Sequence, residues 1–139
     1  MTSKWEFLHG LRDSEYRQQY RNEHVGTGLA FQIHMLRAKM GLTQEQLGER
    51  MDGKTQAAVS RLESPDYGRY SLTTLKRLAK AFDVALLVRF VPFSDLIPWT
   101  SGLTPQRLTP SSYEEEYRAA MEGLAEISEP VIPNPTESL

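Results

Sequence analysis

Thr43-Gln44-Glu45-Gln46-Leu47-Gly48-Glu49-Arg50-Met51-Asp52-Gly53-Lys54-Thr55-Gln56-Ala57-Ala58-Val59-Ser60-Arg61-Leu62-Glu63 is the stretch whose reading decides the fold. Thr43 followed three residues later by Gln46 is a capping box: the hydroxyl accepts from a free amide of the first turn while the amide side chain reaches back. A short helix is therefore expected from Gln44 to about Met51. Asp52-Gly53 is a turn dipeptide, its glycine tolerating positive φ without a Cβ clash. Thr55 caps a second short helix through Glu63. Leu47, Met51, Val59 and Leu62 supply the apolar contact between the two helices. Gly48 falls where they must approach closely, so a small side chain is required there.

Working outward, Leu29, Ile33, Leu36 and Met40 recur at i, i+4, i+7 and i+11, which predicts a helix ending at Gly41. Upstream, Trp5, Leu8, Tyr16 and Tyr20 predict a helix over Lys4 to Asn22, and Gly26 with Gly28 is expected to separate it from the next. Downstream, Ser64-Pro65-Asp66-Tyr67-Gly68 reads as a loop. Ser71 or Thr73 then starts a helix carrying Leu72, Leu75, Leu78, Ala79 and Phe82 on one stripe, with Lys76, Arg77 and Lys80 facing water or a polyanion. The run Val84 to Val91 is apolar and β-favouring, and Pro92 ends it, so it reads as a strand. Such a strand needs a partner: either the same strand of a second copy, which is favoured, or a segment near Ile97-Pro98-Trp99. Pro105 and Pro110 mark a linker, Tyr113 to Ile127 reads as an acidic helix with Tyr117, Met121 and Leu124 on one side, and the end with Pro130, Pro133 and Pro135 is expected to be disordered. Four segments result: a helical extension over 1–26, a core domain over 27–83, a dimerisation strand over 84–93 carrying Leu86, Val88 and Phe90, and an acidic tail over 94–139.

Two short helices joined by a glycine-containing turn and packed on a third and fourth are the geometry that presents one helix to the DNA major groove. The outward face of the second holds Thr55, Gln56, Ala57, Ser60 and Arg61. Glutamine can pair with adenine through two bonds, arginine with guanine, and an alanine methyl can meet a thymine methyl.

Leu36 to Leu47, Thr55 to Glu63 and Thr74 to Ala79 together resemble the Cro and lambda-repressor-like (XRE) family, over about 60 of 139 residues. The resemblance implies a mainly helical helix-turn-helix bundle with a short C-terminal dimerisation strand and helical or irregular extensions. It also implies that Gln44 contacts a phosphate beside the groove, that Thr55, Gln56, Ala57 and Arg61 read bases and backbone, and that Arg37 and Glu63 form an internal salt bridge. Lys39 and Lys54 are further candidates for backbone contacts. The turn from Met51 to Thr55 is one residue longer than the family's usual spacing, which bears on the angle between the two helices and so on the groove contacts, and Ala57 replaces a commoner polar residue, which implies either relaxed specificity or more reliance on DNA shape. Ser64 to Gly68 and Val88 to Phe93 resemble bacterial regulators of which some are antitoxin-like.

Charge supports this division: the net −2 is made of 0 over residues 1–26, +4 over 27–92 and −6 over 93–139. A basic middle beside an acidic tail is the pattern of a nucleic-acid-binding module joined to a segment with another task. With no cysteine, thiolate metal sites and cysteine nucleophiles are excluded. His9, His24 and His34 lack a metal-ligand spacing, His34 reading as a surface or satisfied residue, and Gly26-Thr27-Gly28 lacks the preceding strand of a phosphate loop. No enzyme, cofactor or metal is expected. Nothing resembles a signal peptide or a membrane span, so the expectation is a cytoplasmic transcription regulator, a dimeric repressor on double-stranded DNA. The alternative is an antitoxin or protein-interaction module, its tail offering Trp99, Tyr113 and Tyr117 to a partner such as a toxin.

Overall fold

The computed structural model describes residues 3–100 and 104–123. Its elements in chain order are α1 (Lys4–Gly10), α2 (Ser14–Lys39), α3 (Gln44–Arg50), α4 (Gln56–Leu62), α5 (Leu72–Phe82), a 3-10 turn (Phe93–Leu96), α6 (Ile97–Thr100), α7 (Pro105–Leu108) and α8 (Tyr113–Met121). Each main helix starts at a side-chain cap. Ser3, Asp13, Thr43, Thr55, Ser71 and Ser112 all accept from the amide three residues on, and Ser3, Thr43 and Ser112 complete capping boxes with Glu6, Gln46 and Glu115.

The core lies among α2, α3, α4 and α5. Ile33, Leu36, Leu47, Met51, Val59, Leu62, Leu78, Ala81 and Phe82 are buried together, with Tyr67, Tyr70, Leu75 and Val84 packed against them. Leu47, Met51 and Val59 are wholly enclosed, so the α3–α4 pair is also the centre of the core. Burial of this kind stabilises by about 1.5–3 kcal/mol for each large side chain. The ends of the predicted stripes fall outside the core: Met40 and Leu72 are exposed, and Ala81 is buried where Ala79 is only partly so.

The break expected at Gly26 and Gly28 does not occur. α2 runs for 26 residues through both glycines, and the interruption lies earlier, where Leu11 ends α1 and Asp13 caps α2. A helical glycine costs only about 1 kcal/mol relative to alanine, too little to stop a helix with tertiary support. Gly26 is buried against the loop before α5, and a Cβ there would sit 3.4 Å from the Gly68 Cα. It marks a close backbone approach. The boundary drawn between residues 26 and 27 thus falls inside one helix.

The strand expected over Val84 to Val91 is not formed in the single chain, where this stretch has no regular secondary structure. The intrachain partner considered for it, near Ile97-Pro98-Trp99, is helical as α6, so that segment offers the stretch no ladder. Leu87 is 78 % and Val88 62 % exposed, and Phe90 stands free in solvent. α8 also stops short of Ile127. Glu122 caps it, and Gly123 takes φ +67, the left-handed conformation with which helices commonly end. The side chain of Trp99, Leu124 to Ile127, and Pro130, Pro133 and Pro135 lie outside the described residues.

One meeting of the tail with the core is at the end of α5. Asp83 ends α5 at φ +56. Its carbonyl accepts from the Tyr113 amide at 2.8 Å and its carboxylate from the Glu114 amide at 3.3 Å. Lys39 Nζ meets Glu115 Oε1 at 3.4 Å. The hydrogen bond from the Ser112 amide, with the nearby Lys39 charge, holds the Glu115 carboxyl below its ordinary value.

Candidate nucleic-acid interface

The turn between α3 and α4 sets how α4 is presented. Asp52 and Gly53 both take positive φ, 60° and 84°. The Lys54 amide donates to the Gly48 carbonyl at 2.9 Å. A Cβ on Gly48 would lie 2.1 Å from the Lys54 carbonyl oxygen, so the chain crosses the middle of α3 at a distance only glycine permits. Asp52 is further tied to α5 by Arg77 at 3.6 Å. The turn thus holds two consecutive residues in left-handed positions.

α4 rests on Val59 and Leu62, which are buried, and turns Thr55, Gln56, Ala57, Ser60 and Arg61 outward, all exposed. Thr55 Oγ1 is occupied as the cap, accepting from the Ala58 amide at 3.1 Å. Gln44 and Lys54 are half-buried at the edge of this face. Lys39 is held away from it by Glu115, in an ion pair with the tail.

Behind the face runs a hydrogen-bonded relay. Arg37 Nε donates to Glu63 Oε1 at 2.8 Å, and Arg37 Nη1 donates to the Leu42 carbonyl at 2.9 Å. Only 6 % of the Glu63 side chain is exposed and 17 % of that of Arg37, so the pair is largely removed from water. The other carboxylate oxygen accepts from Gln44 Nε2, and Gln44 Oε1 accepts from Gln56 Nε2 at 2.6 Å. An ionised carboxylate can only accept. Glu63 therefore obliges Gln44 to turn its amide group inward and its carbonyl toward Gln56. Gln56 in turn spends one N–H on Gln44, and the residue is exposed.

Sequence reasoning placed Gln44, Gln56, Arg37 and Glu63 in separate roles and missed the chain of bonds joining them. The available signal was that both glutamines occupy the first position of their helices, flanking one turn. It also missed that His34 touches Glu63, with Nδ1 3.2 Å from Oε1. His34 lies seven residues before Gly41 on a different helix, and only the packing of α2 on α4 brings it there.

A basic, exposed short helix carried by a capped partner across a glycine contact defines a DNA-binding helix-turn-helix domain. Residues 33–88 match a family model described as helix-turn-helix, which supports the resemblance of that segment to the Cro and lambda-repressor-like (XRE) family. No curated protein and no solved structure matches the chain. The family is one of DNA binding, not of enzymes. Among the described residues there is no His, Asp or Glu cluster able to hold a metal ion, and no helix long and apolar enough to cross a membrane.

Proposed function

We propose that the protein is a sequence-specific transcription regulator that acts as a cytoplasmic dimeric repressor on double-stranded DNA. The observation that carries this reading is the exposed Gln56 at the start of α4, one N–H of which is held by Gln44: its carbonyl and second N–H suit the acceptor and donor roles that adenine's N6 amino group and N7 require. Thr55, Ala57, Ser60 and Arg61 share that face and are assigned to base reading, Arg61 suiting guanine. Gln44 and Lys54, at its edge, are assigned to phosphates. For Lys39 to join them, the tail must release it from Glu115. The exposed Leu86, Val88 and Phe90 support pairing of this segment with the same segment of a second copy.

Selection of bound duplexes from a random pool tests the reading. Enrichment of an inverted repeat with half-sites about one helical turn apart is the expected result. Failure to enrich any sequence would favour the second reading, an antitoxin or protein-interaction module. The observation behind that alternative is the exposed stripe Tyr113, Tyr117 and Met121 along α8, where the two tyrosine rings stack at 6.0 Å beside three consecutive glutamates.

A further inference from the structure

A groove with no part in DNA reading runs between α2, α5 and residues 84–89. It consists of an inner cavity of 70 Å³ that reaches Leu78 and Phe82, and an outer one of 360 Å³ that reaches His24 and Arg89. Leu29, Gln32, Leu75 and Leu86 line both, so the two adjoin. Leu108 of the tail adds a wall to the outer part. Small-molecule sites have this character: a concave, mostly apolar space with a few polar groups that fix the ligand's orientation.

The polar groups here have one bias. No Asp or Glu lines either cavity among the described residues, whereas Arg89 and His24 share the outer one. No hydrogen bond or ion pair joins the Arg89 guanidinium or the Gln32 side-chain amide to another described residue. A guanidinium is a planar fork of donors that fits a carboxylate through two bonds. Burial favours the neutral form of the His24 ring, which still offers one N–H. His24 and Gln32 are eight positions apart on α2, about 12 Å along the helix axis. An extended alkyl chain advances roughly 1.2 Å per bond, so about ten carbons reach from the outer end to Gln32, where the inner cavity begins.

We propose that this groove binds an aliphatic carboxylate of about ten carbons, its chain between α2 and α5 and its carboxylate on Arg89 and His24. Burial of the methylene groups supplies the attraction, and Arg89 supplies the preference for an anion. The site requires nothing of α4, so it stands or falls apart from the DNA reading.

Decanoate, decanol and decyltrimethylammonium share one chain length and differ in headgroup charge, and each is titrated into the full chain below its micelle concentration. By calorimetry, decanoate is expected to bind about two- to fivefold more tightly than decanol, the range of an exposed charge contact, and the cation more weakly than either. In nuclear magnetic resonance, the methyl signals of Leu29 and Leu75 and the side-chain amide of Gln32 are expected to shift with decanoate. Arg89→Gln, at an exposed position, is expected to erase the preference for decanoate and leave decanol binding unchanged. Gln32→Trp fills the junction of the two cavities and is expected to abolish uptake of both probes in a protein with an unchanged circular dichroism spectrum. Equal affinity for the three probes would mean surface-active adsorption only and would overturn the proposal, as would uptake that Gln32→Trp leaves intact. No uptake by the wild type also overturns it, and a mass in solution that falls in Gln32→Trp would then assign the groove to a second copy.

Discussion

Replacing Gly48 by alanine puts one methyl group into the tightest contact of the domain. The new Cβ would stand 2.1 Å from the Lys54 carbonyl oxygen, 3.0 Å from the Lys54 carbonyl carbon and 3.5 Å from Val59 Cγ2. Against an ordinary separation of about 3.5 Å, the turn must retreat by roughly 1.4 Å. Overpacking of a filled core costs about 1–3 kcal/mol. The retreat also breaks the 2.9 Å bond from the Lys54 amide to the Gly48 carbonyl, worth about 1 kcal/mol. Alanine returns about 1 kcal/mol through its better helix propensity. The net expectation is a loss of about 1–3 kcal/mol. Gly28, also helical, supplies the control: nothing lies within 4 Å of a Cβ built there, so Gly28→Ala is expected to gain up to about 1 kcal/mol. Urea denaturation of both variants, followed by far-ultraviolet circular dichroism, reads the two signs side by side. A Gly48→Ala protein as stable as the wild type, or one that gains as Gly28→Ala does, would refute the claim that the α3–α4 crossing requires glycine.

Gln56→Ala is expected to weaken binding to the selected duplex by about 1–3 kcal/mol and to relax preference at one base pair; equal losses on selected and random duplexes would rule out base reading there. Val88→Pro removes a backbone donor from the exposed segment, and the mass in solution, measured by light scattering, is expected to fall from dimer to monomer; an unchanged mass ends the pairing idea. Arg37→Ala strips the largely buried Glu63 carboxylate of its cation and frees the Leu42 carbonyl, and is expected to cost about 3 kcal/mol in chemical denaturation; a loss under about 0.5 kcal/mol would show the pair to be worth no more than a surface one. Burial of His24 lowers its affinity for protons below the ordinary value of 6.5. Because the folded chain binds that proton less well than the unfolded chain, its contribution is fully present above pH 6.5 and is lost as pH falls through the folded-state value. Thermal midpoints are therefore expected to decline below that pH in the wild type and less steeply in His24→Gln, and parallel declines would remove His24 from the account.

What the sequence determined by itself was whatever neighbours within a turn or two can specify. Thr43, Thr55 and Ser71 each announce a helix because a cap needs only the amide three residues on. Val59 and Leu62 point the opposite face of α4 outward by spacing alone, and Gly48 could be singled out because two helices joined by so short a turn must cross near it. Tertiary structure decided what lies far apart in the chain. Gly26 looked like a stop because its neighbour across the fold, Gly68, is 42 positions away, and the cost of a helical glycine is small enough for that packing to override. Val84 to Val91 has the composition of a strand, but a ladder requires a second strand and this chain makes α6 where one was sought. The relay from Arg37 and His34 through Glu63 to Gln44 and Gln56 joins three helices, and the tie from Lys39 to Glu115 spans 76 positions. Hydrogen bonds and ion pairs reach only about 3–4 Å, so which distant side chains meet is fixed by how the helices pack, and no local pattern records it.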